Sequence, residues 1–344
     1  MADRGAEATA FSDLIEFEAF RRSVGMGLIY RGLESEFQRA KTVTLNRVTD
    51  DNIEVDTPAD QEALEDALTY ETATMGLSSY SRKLIRGRSQ FNVLHAMEGP
   101  GPARLDANLM SRLATKMSIE LDNQVFTQIT GATYGGATGN GFVVPAVGAV
   151  FSGTNAYGID RATGRYKEKG TPQRSESEFY QDVASMFGDA EFHWRNNDIM
   201  AGELIGDATP TGYAFVGPPV IVRPIVEWAK REGVLDMRMS VGTEAARTSG
   251  ILGTTAYAGT LSNIDIVSTT ALKPSGNSFT SVNGYFVPIG ASILGGIRPM
   301  MWDFARFGQG NTMGAAVARS TVIWPYFVGR HGQEYLGKVT VQAG

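Results

Sequence analysis

Apolar residues recur at every fourth position through one long stretch of the chain: Leu105, Leu109, Leu113, Met117, Leu121, Val125 and Ile129, with Met110 and Phe126 widening the stripe. The spacing predicts a helix over about 103–130, ended by Gly131. At a strict period of four the stripe drifts around the helix, so different elements must cover it along its length. Residues 11–24 set Phe11, Leu14, Ile15, Phe17 and Phe20 among charged positions. They predict a short amphipathic helix with Ser12 as N-cap and Gly25 as its stop.

Period-two alternation takes over next. In "KTVTLNRVT" (41–49), Val43 and Leu45 alternate with Thr42, Thr44 and Asn46, the pattern of a strand with one wet face. "LTYETATMGLSSYS" (68–81) reads as its partner. Between them, Thr57 and Pro58 open a short helix over 58–67, with Ala63, Leu64, Ala67 and Leu68 as a weak stripe. The unit is a two-stranded arm with a helical tip. Two strands bury little surface, so such an arm needs something to lie against.

Further on, "GATYGGATGNGF" is a glycine-rich loop, and 175–198 predicts a second helix with Ser175 and Glu178 as a capping box. "GYAFVGPPVIVRPIVEWAKREGVL" reads as strand, turn and helix. The segments from 249 onward and the tail "RSTVIWPYFVGRHGQEYLGKVTVQ" read as strands with glycine turns. The order is mixed without regular βαβ alternation, which predicts an α+β fold.

Charge sharpens the picture of the arm. Residues 50–67 hold eight carboxylates (Asp50, Asp51, Glu54, Asp56, Asp60, Glu62, Glu65 and Asp66) and no basic residue. Basic stretches lie elsewhere: Arg82, Lys83, Arg86 and Arg88, then Arg161, Arg165, Lys167 and Lys169. Between copies, the acidic arm of one subunit could rest on the basic region of the next, a head-to-tail contact that closes rings or extends lattices. The bland alternative is a solvated, solubilising loop.

The remaining composition mainly excludes. With no cysteine among 344 residues there is neither a disulfide framework nor a thiolate site. A net charge of −6 argues against broad phosphate neutralisation. No run is long and apolar enough for a membrane helix, and the N-terminus reads as a cytosolic start without a signal peptide. Phosphate-loop and dinucleotide fingerprints are missing; Gly308, Gly310 and Gly314 have the wrong spacing. His95, His193 and His331 are scattered, and "DDNIEVDTPADQ" fails as a calcium loop because Val55 and Gln61 stand where Gly and Glu are required. A looser calcium site in the arm stays open. No enzyme, metal or cofactor is expected.

The order of elements resembles the HK97-like major capsid proteins of tailed double-stranded DNA bacteriophages. "YSRKLIRGRS" followed by "LDANLMSRLATKMSIELDNQVFTQITG" is similar to that family's passage from strand into spine helix. "YAFVGPPVIVRPIVEW" and "GTLSNIDIVST" are similar to elements of its axial domain.

The resemblance implies an N-terminal arm at 1–40, an extended loop at 41–80 and a peripheral domain at 81–195. An axial domain at 196–305 and C-terminal strands at 306–344 returning to the peripheral domain complete the plan. It implies a shell of pentamers and hexamers around double-stranded DNA held without sequence-specific binding, in a virion assembled in the host bacterial cytoplasm. About forty residues before the loop are too few for a fused scaffold, so a separate scaffolding protein is expected, with a portal protein and optional decoration proteins. An encapsulin-type compartment enclosing a cargo enzyme is the alternative within the fold. A metal- or nucleotide-dependent enzyme is the distant one.

Overall fold

A computed structural model describes residues 23–30, 42–48, 75–81, 83–92, 102–135, 141–143, 158–159, 166–167, 186–194, 212–233, 257–261, 263–272, 281–290, 292–297, 301–305, 317–330 and 332–342. Strands β1 (Thr42–Val48) and β2 (Met75–Ser81) form an antiparallel sheet of their own, with Thr42 opposite Ser81 and Val48 opposite Met75. The expected tip helix at 58–67 lies outside the described residues. After residue 82 the chain enters β3 (Lys83–Asn92).

Helix α1 (Pro102–Thr130) matches the predicted spine within a residue. Its 29 residues span about 43 Å. Pro102 occupies a position where a missing N–H costs nothing. At the other end the free carbonyls are met from several directions. Gly131 N–H donates to Thr127 O at 3.0 Å, Tyr134 Oη–H to Ile129 O at 2.6 Å, and the Arg330 guanidinium to Gln128 O at 3.1 Å.

Two larger sheets flank this helix. In one, β13 (Val317–Arg330) is central, with β3 along one edge and β11 (Ile293–Ile297) and β12 (Met301–Ala305) along the other. The second has the order β4-β14-β10-β7-β9-β8. Its strands are β4 (Phe142–Val143), β7 (Gly212–Gly217), β8 (Tyr257–Leu261), β9 (Ile264–Ser268), β10 (Ser281–Ile289) and β14 (Gly337–Gln342). β5 (Gly158–Ile159) and β6 (Tyr166–Lys167) pair separately. The mix of antiparallel and parallel pairs, with helices set apart from the strand runs, is the α+β arrangement expected.

The pairings cross the segment boundaries drawn from the sequence. β11 and β12, at the end of the expected axial segment, join the β13 sheet, while β14, from the expected returning tail, enters the sheet of β7 to β10. Non-local partnering of this kind leaves no trace in local periodicity.

Two apolar clusters result. The first is organised by α1: Leu113, Met117, Leu121, Val125 and Ile129 are buried against Ile85, Val216, Val287, Ile293 and Tyr326. Coverage does change along the helix, as the drifting stripe requires. Gly87 of β3 lies over Leu113 and Met117, whereas Gly25 lies over Asp122 and Val125. The second cluster lies between the six-stranded sheet and two helices, α2 (186–194) and α3 (Pro219–Arg231). Phe187, Phe215 and Phe286 meet there with ring centroids 4.9–5.5 Å apart, and Trp194 stacks on Tyr213 at 4.1 Å.

The N-terminal segment is welded into the first cluster. Val24, Met26, Leu28 and Ile29 are buried, and Tyr30 exchanges backbone bonds with β11, accepting from Gly295 and donating to Ile293. Most of the helix expected over 11–24 lies outside the described residues. Ser23 and Val24, its last two positions, are not helical, and Gly25 opens a 3-10 turn (Gly25–Gly27) instead of ending a helix. The reason is close approach: a Cβ at Gly25 would stand 2.9 Å from Val125 Cβ.

Two substitutions test these contacts. A Cβ at Gly284 would reach within 2.6 Å of the buried Phe215 ring, so Gly284→Ala should cost about 1–3 kcal/mol in denaturant unfolding. Asp122→Ala should cost roughly 1–3 kcal/mol for each buried donor left unpaired, read as a lowered midpoint of thermal unfolding.

Candidate assembly surface

The sequence points to an acidic arm and basic acceptors. The eight acidic positions, Asp50 to Asp66, lie outside the described residues, as do Arg82, Arg161, Arg165 and Lys169. Arg88 stands opposite Thr321 in β3, and Lys167 opposite Gly158 in β6. Lys83 and Arg86 are exposed on β3, which alternates its side chains across the sheet. Ile85 is buried, while Leu84 is 64% exposed.

Helix α1 adds two cations that belong to no run of basic residues in the sequence. Arg112 and Lys116 are exposed, one turn apart, on the side of the helix opposite its buried stripe. Ile119 (53% exposed), Asn123 and Thr127 continue that outer face. The signal was available: a stripe at period four leaves a polar stripe beside it, and Arg112 and Lys116 fall on it. Among the described residues, none of Lys83, Arg86, Arg112 and Lys116 forms an ion pair. Helix α3 differs, since Arg223 pairs with Glu227 at 2.9 Å and Arg231 with Glu232 at 3.7 Å. The cations around the spine are thus exposed and form no ion pair among the described residues.

Beneath this surface sits an unusual anchor. Asp122, on α1, is buried and accepts three bonds from the N-terminal segment: Ser23 Oγ–H at 2.5 Å, Gly25 N–H at 2.8 Å and Val24 N–H at 3.4 Å. Ser23 Oγ in turn accepts from Met26 N–H at 3.2 Å. Burial pushes the Asp122 carboxyl above its ordinary value, opposed by the bonds from Ser23, Gly25 and Val24. A lone Asp in a helix is ordinarily read as solvated, so only its place beside the buried stripe hinted at this role.

Of the three histidines, only His193 lies among the described residues. His193 lies half-buried against Phe142, with centroids 4.0 Å apart, and burial lowers its pKa. His95 and His331 lie outside the described residues. Among the described residues no group of three or more His, Asp or Glu is arranged to hold a metal ion. Among them, too, no helix is long and apolar enough to cross a membrane.

No protein-family model and no curated protein matches the chain. Solved structures do. One titled "Mycobacterium phage Che8" aligns at a TM-score of 0.50 with 12% identity, covering 92% of this chain and 90% of that one. The capsid of Ralstonia phage GP4 aligns at 0.49 with 11% identity, covering 88% and 84%. The capsid of Myoviridae phage XM1 aligns at 0.42 with 16% identity, covering 92% and 90%. The first of these is a likeness of fold across nearly all of both chains. The chain has the α+β, HK97-like fold that its order of elements resembles.

Proposed function

We propose that this chain is a major capsid protein, a structural subunit that assembles with copies of itself into the pentamers and hexamers of an icosahedral shell around double-stranded DNA. The observation that carries the reading is the fold likeness over 92% of the chain. Supporting it is the separate two-stranded sheet of β1 and β2, which is too small to be stable alone. In this reading the spine helix and the β13 sheet form the peripheral unit, and the six-stranded sheet with α2 and α3 forms the axial unit. A separate scaffolding protein, a portal and optional decoration proteins complete the assembly.

The contact is geometric and electrostatic. The acidic positions Asp50 to Asp66 of one copy dock on exposed cations of the next, with Arg112, Lys116, Lys83 and Arg86 as acceptors. A single exposed pair contributes only about 0.2–1 kcal/mol. Repetition at every subunit boundary makes the sum decisive, because each contact closed raises the effective concentration for the next.

Expression with a scaffolding partner should give closed shells in negative-stain microscopy and matching masses in light scattering. A stable monomer under those conditions would remove the capsid reading. Arg112→Glu with Lys116→Glu should abolish or strongly reduce shells while circular dichroism of the free subunit stays unchanged. Normal shells from that double variant would eliminate the docking surface but not the capsid. Because exposed charges are screened within about 10 Å at 0.1 M salt, arm docking should also weaken as ionic strength rises.

A further inference from the structure

The root of the N-terminal segment rests on a carboxylate that meets no cation among the described residues. Asp122 is 8% exposed. Its Oδ1 receives both short bonds, from Ser23 Oγ–H and Gly25 N–H, while Oδ2 has only the long contact from Val24 N–H at 3.4 Å. The segment packed on it, Ser23 to Gly27, contains no titratable side chain. Neither do the helix positions a turn away on α1, Ser118, Ile119, Val125 and Phe126. Glu120, two residues earlier, accepts instead from Gln124 at 2.8 Å. Among the described residues no charge balances it, and hydrogen bonds hold the ionised carboxylate in this site.

The two oxygens are not equivalent. A proton on Oδ2 displaces only the weakest of the three contacts and leaves both short bonds to Oδ1 in place. The ionised form keeps all three but sets a full charge among Val24, Met26, Leu121 and Val125, which are all buried. If the segment lifts away, water reaches the carboxylate and this penalty vanishes.

We propose that Asp122 is a proton-dependent latch for the N-terminal segment: carrying a proton on Oδ2 it holds Ser23 to Met26 firmly against the spine helix, and releasing that proton to solvent loosens the hold. The direction of the effect follows from linkage. Burial raises the proton affinity of the latched state above that of the open one. The latched state is therefore favoured at low pH. It loses up to about tenfold in its equilibrium per pH unit between the open value, near the ordinary 3.8, and the raised latched value. Above the latched value the loss is complete and the equilibrium becomes flat.

The test is hydrogen exchange of peptides covering residues 23–30 in the full chain, from about pH 4 to about pH 8, corrected for intrinsic exchange. In the native chain, local opening should grow with pH by up to about tenfold per unit and then level off. Asp122→Asn keeps an acceptor for Ser23 and Gly25 but cannot titrate, so its opening should not vary with pH. Ser23→Ala removes a bond that favours the ionised form, so its rise should extend to higher pH than in the native chain. An Asn variant with the native pH profile, or native protection that is flat across the range, would overturn the latch. Should the Asn variant not fold, the Ser23→Ala profile decides alone: an unmoved rise refutes the proposal. The readout is local to the subunit and holds whether or not shells form.

Discussion

Burial of one stripe of the spine helix is the constraint on which the other contacts depend. Leu113, Met117, Leu121, Val125 and Ile129 cannot be covered by a single element, because their line rotates along a helix of 29 residues. The β3 strand covers its first part and the N-terminal segment a later one, each through a glycine that permits close approach. Both sheets contribute residues to the same cluster, so the helix is the common floor of the fold. What the stripe does not use, the outer face bearing Arg112 and Lys116, is thereby held in a fixed place relative to β3. Whatever meets Arg112 and Lys116 meets them on a face whose position is set by the core beneath it.

The spine was legible because a period sustained over seven apolar positions has few other interpretations. β1, β2 and β7 to β10 were legible as strands for a related reason, short alternating or glycine-bounded runs. Their partners were not. That β14 lies between β4 and β10, or that β12 pairs with β13, depends on contacts between residues far apart in the chain. Local pattern carries the tendency to be a strand and nothing about which neighbour it takes.

The candidate surface divides in the same way. Clustered charges such as Lys83 and Arg86 stand out in the sequence, whereas Arg112 and Lys116 are spaced by a helical turn and interleaved with core residues. Asp122 was hidden more deeply. Its neighbours in sequence, Glu120 and Asn123, look like an ordinary wet face, and the donors that surround it come from nearly a hundred residues earlier. Gly25 reads as a helix stop in the sequence because the nearness of Val125, which leaves no room for a Cβ there, is invisible until the partner is known.

The run from the arm into the body of the subunit sets how the molecule meets force. β2 ends at Ser81 and β3 begins at Lys83, so tension on the arm is directed into β3. That strand is bound to β13 through ten register pairs, from Lys83 opposite Tyr326 to Asn92 opposite Val317. A pull along the strand axis shears these bonds together, whereas a pull across it would peel them one at a time. A load carried from β2 along the axis of β3 therefore meets the ten pairs at once, the direction in which a paired strand resists most.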